Sequence, residues 1–130
     1  MMRLLVDAHA LLWWLGEDRR LSPAASKAIE AADSPLVGAG TLVEIAIKRS
    51  IGKLSVDEDW PQQTKDDGFG VLAIDWAHVA RLQELPFLEL AGRPHRDPFD
   101  RLLAAQALTE RLPIVTRDPA LAAYGIAVIW

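Results

Sequence analysis

The sequence contains no cysteine, only three histidines and a single tyrosine among its 130 residues. The missing thiols exclude disulfide scaffolds, thiolate zinc sites, iron–sulfur clusters and cysteine nucleophiles together. They agree with a reducing, cytoplasmic setting. Long hydrophobic runs are also absent: the longest, Ala10 to Leu15, falls far short of the roughly 18 residues of a membrane span. Met1-Met2-Arg3-Leu4 lacks the apolar core and small-residue cleavage site of a secretory signal. Positive charge is not in excess, since 14 Lys and Arg face 18 Asp and Glu for a net charge of −4. That balance opposes charge-driven coating of nucleic acid or membrane, while leaving room for an enzyme with a local basic rim. No glycine-rich phosphate loop and no Gly-x-Ser-x-Gly nucleophile elbow occurs. Without repeats, low-complexity tracts or linkers, residues 1–130 are expected to form one domain, a length near the common domain size.

What is present is an alternation of short apolar runs and helical segments. Arg3-Leu4-Leu5-Val6-Asp7 reads as a strand buried on both faces, ending in a carboxylate. Ala10 to Leu15 is a short helix, and Ser22-Pro23 supplies a cap and first-turn proline for a helix through Ala32. Leu36 to Gly38 is a second strand. Thr41-Leu42-Val43-Glu44 has the spacing of a capping box opening a helix to about Ser50. A helix from Asp59-Trp60-Pro61, a strand Val71 to Ile74 and a helix capped by Asp75 follow. Glu89 to Arg96 reads as a loop, with Gly92 and Pro94 marking turns. Asp97-Pro98 then starts the most regular helix, Ile114 to Thr116 is a fourth strand, Asp118-Pro119 opens a last short helix, and Ile126 to Trp130 is a terminal strand. Uniformly apolar strands alternating with helices predict an α/β domain whose mostly parallel sheet is covered on both faces.

The acids sit at telling places in this pattern. Asp7 ends the first strand, Glu44 opens the helix after the second, Asp118 follows the fourth, and Asp97 and Asp100 open the regular helix. In a doubly wound sheet these positions share the carboxyl edge, where sites form at the point of winding reversal. Each acid also has a purely structural explanation as a helix cap or first-turn residue. Caps, however, do not require the acids to meet. Two carboxylates ~5 Å apart repel by roughly 3 kcal/mol at an effective dielectric of about 20, so a true cluster needs raised pKa values or a cation. An all-oxygen donor set suits Mg²⁺ or Mn²⁺, ions that activate water and stabilise charge on a reacting phosphate.

At these residues the sequence resembles PIN-domain ribonucleases, specifically the VapC-type toxins of type II toxin–antitoxin pairs. The likeness is carried by Leu4-Leu5-Val6-Asp7-Ala8-His9-Ala10-Leu11-Leu12-Trp13-Trp14, Glu44-Ile45-Ala46-Ile47-Lys48, His95-Arg96-Asp97-Pro98-Phe99-Asp100-Arg101-Leu102-Leu103-Ala104-Ala105-Gln106-Ala107 and Thr116-Arg117-Asp118. It implies a three-layer α/β/α fold with a mostly parallel four- to five-stranded sheet. It also implies Asp7, Glu44, Asp100 and Asp118 as catalytic acids holding Mg²⁺ or Mn²⁺, with Asp97 as a further metal-site acid. Thr116 matches a hydroxyl position near the site, suited to holding a water or a substrate phosphate oxygen. Ala8 departs mildly from the pattern, standing where this branch often has threonine. The implied activity is endoribonuclease cleavage by metal-activated water, leaving 5′-phosphate and 3′-hydroxyl ends, with transfer RNA a family-level expectation for the target and messenger and ribosomal RNA left open. The implied partners are a cognate antitoxin, which lays an amphipathic segment over a groove near the first helices, and a second copy of the chain. Arg93, Arg96, Arg101, Arg111 and Arg117 surround the later acids in sequence and are candidates for a phosphate-binding rim, Arg93 and Arg96 foremost.

Competing readings are a Mg²⁺-dependent phosphatase, a DNA nuclease and a non-catalytic PIN-like module that only binds a partner. The first strand lacks the Asp-x-Asp pair of a phosphoaspartate phosphatase, as Asp7 is followed by Ala8-His9. A receiver module needs a lysine after its last strand, and none follows Lys65. His9, His78 and His95 have no metal-ligand spacing and read as packing residues. Adjacent Trp13 and Trp14 point about 100° apart on a helix, so one packs inward while the other covers an edge.

Overall fold

A computed structural model describes residues 2–130; Met1, at which the expected domain begins, lies outside the described residues. Strands β1 (Arg3–Val6), β2 (Ser34–Gly38), β3 (Gly70–Leu72), β6 (Ile114–Val115) and β7 (Val128–Ile129) form one sheet in the order β3-β2-β1-β6-β7, every pairing parallel. Successive side chains of a strand face opposite ways, and the central strands use both sides. Leu4, Val6, Val37 and Val115 join one apolar cluster with Leu11, Ile29, Ile45 and Trp60. Leu5, Leu36 and Ile114 join the other with Leu85, Leu103, Leu112 and Leu121.

The first cluster is covered by α1 (Ala8–Leu15), α2 (Pro23–Ala31), α3 (Ala39–Ser50) and α4 (Trp60–Asp66). The second is covered by α5 (Trp76–Glu84), α6 (Pro98–Glu110) and α7 (Pro119–Ala122). These three layers are the expected α/β/α architecture, with a five-stranded sheet. The chain winds outward from β1 to β2 and β3, then returns to add β6 and β7 on the opposite side. The reversal therefore falls between β1 and β6, whose carboxyl ends lie side by side.

Two local readings are corrected. Thr41 and Glu44 do not form a capping box: α3 begins at Ala39, directly after β2, with Gly38 as its N-cap and no side-chain cap bond. Small residues permit this early start. A Cβ on Gly38 would stand 2.7 Å from Gln106 Oε1, and one on Gly40 would stand 2.5 Å from Leu102 Cδ2. The first turn of α3 thus nestles against α6, and Glu44 lies inside the helix rather than at its cap. The expected loop from Glu89 to Arg96 contains an antiparallel hairpin of β4 (Glu89–Leu90) and β5 (Arg93–Pro94). Its turn residues Ala91 and Gly92 have φ of 52° and 77°, the positive pair required by a two-residue primed turn.

Candidate metal centre

Asp7, Glu44, Asp97, Asp100 and Asp118 line one pocket of about 150 Å³, together with Ala8, His9, Leu12, Ile45, Lys48 and Leu54. The structure therefore brings together all five acids singled out in the sequence. Capping and clustering prove to be compatible. Asp7 caps α1 by accepting from Ala10 N–H at 2.8 Å. Asp97 caps α6, its Oδ1 accepting from Phe99 and Asp100 N–H at 3.0 Å each. Asp118 caps α7, accepting from Ala120 N–H at 2.9 Å. Three helix N-termini thus open on the pocket, and their partial positive charge favours anions there.

The remaining contacts tie the acids into a frame. Thr116 Oγ1 donates to Asp7 Oδ2 and accepts from Asp118 N–H, linking the first and fourth acids. Thr116 is only 1% exposed, and its one hydroxyl proton goes to Asp7. Glu44 is buried and accepts from Lys48 Nζ at 2.9 Å, one helical turn away. Its carboxylate raises the Lys48 pKa, and the charges of Asp97 and Asp100 add to the effect. Lys48 belongs to the motif noted in the sequence, and its i, i+4 spacing from Glu44 was the signal that could have marked it.

Repulsion and burial leave their imprint on protonation. The Asp100 carboxyl is pushed up to about 6, first by burial and then by the charge of Asp97, with Asp118 and Glu44 adding and a hydrogen bond from His95 opposing. Burial also raises Asp7, against the Thr116 and Ala10 bonds that favour its charged form. Five carboxylates here meet one lysine. The donors are all oxygen, all anionic when ionised, and short of counter-charge, which fits a hard divalent ion such as Mg²⁺ or Mn²⁺.

The arginine rim is thinner than the sequence suggested. Arg93 and Arg96 are exposed on the hairpin and its exit, outside the lining of the acidic pocket. Arg101 is buried, donating to Pro86 O at 2.9 Å and Leu85 O at 3.1 Å, so it fastens α6 to the end of α5. Arg111 closes the far end of α6 in a left-handed conformation. Arg117 lies over the Trp13 ring at 4.7 Å, near the acids. A wider groove of about 620 Å³, lined by His9, Leu12, Trp13, Arg20, Leu54 and Gln63 among others, adjoins the acidic pocket.

A second group of possible ligands lies elsewhere. Asp75, His78 and Glu110 each bring one donor atom within 4.8 Å of the others and could hold a divalent ion. It lies at the opposite end of α6, about 15 Å along the helix from Asp100 at 1.5 Å per residue. Here His78 Nδ1 accepts from Asp75 N–H at 3.1 Å in a capping box, which places the ring proton on Nε2. That nitrogen is buried without a hydrogen-bond partner among the described residues, 3.5 Å from Glu110 Oε1. A metal bound through Nε2 would have to displace this proton, which makes the trio a poorer cation site than the five acids.

The comparisons with known proteins agree with this architecture. A family model described as PIN domain matches residues 4–127. Ribonuclease VapC22 of Mycobacterium tuberculosis is 35% identical over 125 residues, covering 91% of this chain and 88% of that protein. Among solved structures, VapBC2 from Rickettsia felis bound to a DNA fragment from their promoter superposes with a TM-score of 0.66, at 11% identity and 98% and 97% coverage of the two chains. A toxin–antitoxin complex from Klebsiella pneumoniae gives 0.64, at 20% identity and 98% and 96% coverage. These two likenesses concern the fold; the family rests on the first two matches. This chain belongs to the PIN-domain family, in its VapC-type branch.

Proposed function

We propose that this chain, as one domain over residues 1–130, is a divalent-metal-dependent endoribonuclease and the toxin of a type II toxin–antitoxin pair. The observation that carries the reading is the convergence of Asp7, Glu44, Asp97, Asp100 and Asp118 on one pocket at the reversal of the sheet. A relative named as a ribonuclease supports the reaction class, and structural neighbours solved as toxin–antitoxin assemblies support the partner. Asp7, Asp100 and Asp118 would hold Mg²⁺ or Mn²⁺, with Glu44 and Asp97 completing the anionic wall. When bound, such an ion lowers the pKa of water and offsets charge on the scissile phosphate. Thr116 keeps Asp7 and Asp118 at a fixed separation. Glu44 serves either as a further ligand or as the base that orients and deprotonates the attacking water. Lys48, at the mouth of the pocket, is placed to meet a phosphate oxygen. Arg93, Arg96 and Arg117 would attract the RNA backbone.

The partners proposed are RNA, with transfer RNA the leading target, a cognate antitoxin, and a second copy of the chain, all in the cytoplasm. No described helix is long and apolar enough to cross a membrane. The reading is tested by incubating total RNA with the protein in Mg²⁺ or Mn²⁺, in EDTA, and with Asp7→Asn. Cleavage should require the metal and fall at least about 100-fold in the variant, more than 2.7 kcal/mol of transition-state stabilisation. Asp7→Asn cutting at the wild-type rate would contradict it, and loss of double-stranded DNA with RNA spared would favour the DNA-nuclease alternative.

A further inference from the structure

His95 leaves the β4–β5 hairpin with its backbone N–H on Leu88 O at 2.6 Å. Its ring bridges two groups that are remote from each other in sequence. Nδ1 stands 2.7 Å from the Tyr124 hydroxyl, and Nε2 stands 3.4 Å from Asp100 Oδ2. The Tyr124 oxygen also receives Arg101 Nη1 at 3.3 Å. Donor capacity sets the direction of this chain of bonds. A guanidinium only donates, so Arg101 uses the phenol oxygen as an acceptor and the phenol proton is free to go to Nδ1. A neutral imidazole that accepts at Nδ1 carries its proton on Nε2, which then donates to Asp100.

We propose that Tyr124 and His95 are positioning residues: their directed hydrogen bonds set the imidazole tautomer and hold Asp100 in the orientation in which it ligates a divalent cation. This inference rests on the reading of the five-acid pocket as a metal site. Arg101 is the anchor of the chain, because its other bonds go to Leu85 O and Pro86 O and its guanidinium lies 4.0 Å from the Phe87 ring centroid. The hairpin and the α7 turn are thereby coupled to the first turn of α6. Partners that orient a metal ligand typically change metal affinity by about 10- to 100-fold when removed.

The test is Mn²⁺ binding to the full chain by titration calorimetry, for wild type, His95→Ala, His95→Gln and Tyr124→Phe, each first checked for folding by circular dichroism. His95→Ala should bind Mn²⁺ about 10-fold more weakly, whereas His95→Gln, whose amide can donate from a similar place, should recover most of the loss. Tyr124→Phe deletes only one hydroxyl and guards against a His95 variant that fails to fold. It should weaken Mn²⁺ binding, and ¹⁵N spectra of the His95 ring should change from the Nε2–H tautomer in wild type to a mixture. Wild-type Mn²⁺ affinity in both His95→Ala and Tyr124→Phe would overturn the inference while leaving the metal-site reading intact. A wild-type protein that binds no Mn²⁺ would overturn both, and an Nδ1–H tautomer in wild type would overturn the inference alone.

Discussion

Asp100 faces opposing demands in the pocket: it must be ionised to hold a cation, yet its neighbours and its burial favour the neutral form. Without metal it titrates near 6, against an ordinary aspartate value of about 3.9. Between those values the folded chain binds more protons than the unfolded chain, so this group makes stability fall as pH rises through the window. Carboxylates of the opposite kind, such as Asp18 held at about 2 by Arg20, withdraw stability only at more acid pH. The metal-free protein should therefore melt at a higher temperature at pH 5 than at pH 7. Scanning calorimetry should show that difference shrinking in Asp100→Asn. Saturating Mn²⁺ should reverse the trend, because the ion selects the ionised carboxylates and its affinity drops as pH falls below 6. A wild type whose metal-free melting temperature is flat or rising from pH 5 to pH 7 would contradict the electrostatics described for the pocket.

Among the elements, those announced by local chemistry were readable in advance. Ser22-Pro23, Asp97-Pro98 and Asp118-Pro119 do open α2, α6 and α7, because cap and first-turn proline act within a few residues. Elements decided by distant contacts were not. The start of α3 is fixed by close approach to Leu102 and Gln106 on α6, which no capping pattern around Thr41 encodes. The hairpin rests on only two-residue strands and on Ala91 at positive φ, where Asn or Gly would have signalled the turn. The acids themselves were legible; their convergence depends on topology, and the bridge from Tyr124 through His95 to Asp100 spans 29 residues of sequence in its longer step. The α3–α6 contact gives an element-level prediction. Gln106 is pinned by Nε2 to Leu72 O and Ala73 O, both at 3.3 Å, so it cannot easily yield to a methyl at position 38. Gly38→Ala should cost about 1–3 kcal/mol in urea unfolding, and should lower RNA cleavage by displacing Glu44. Unchanged stability and rate would show that this close approach is not required.

For the molecule as a whole, the acidic edge is the proposed site, and exposed Trp76 is a candidate point of association. Trp76 is 90% exposed at the start of α5, and Val71, Ile74 and Val79 near it in sequence are each more than 40% exposed. Trp76 is thus not packed into the core, whereas Trp60 is buried. Large exposed aromatics dominate protein interfaces, which makes Trp76 the residue to test. If the second copy docks here, Trp76→Ser should weaken the dimer about tenfold or more in sedimentation velocity, without altering the metal site. An unchanged association constant would exclude Trp76 from the proposed contact between copies.

The proposed chemistry requires the acids at the reversal of the sheet to hold the divalent cation. Titration of Mn²⁺ into the full chain tests this most directly, comparing wild type with Asp7→Asn, Asp118→Asn and His78→Gln. Binding should collapse in both aspartate variants and persist in His78→Gln. Binding that survives in Asp7→Asn and Asp118→Asn but disappears in His78→Gln would place the ion at Asp75, His78 and Glu110 instead, and would contradict the proposed chemistry.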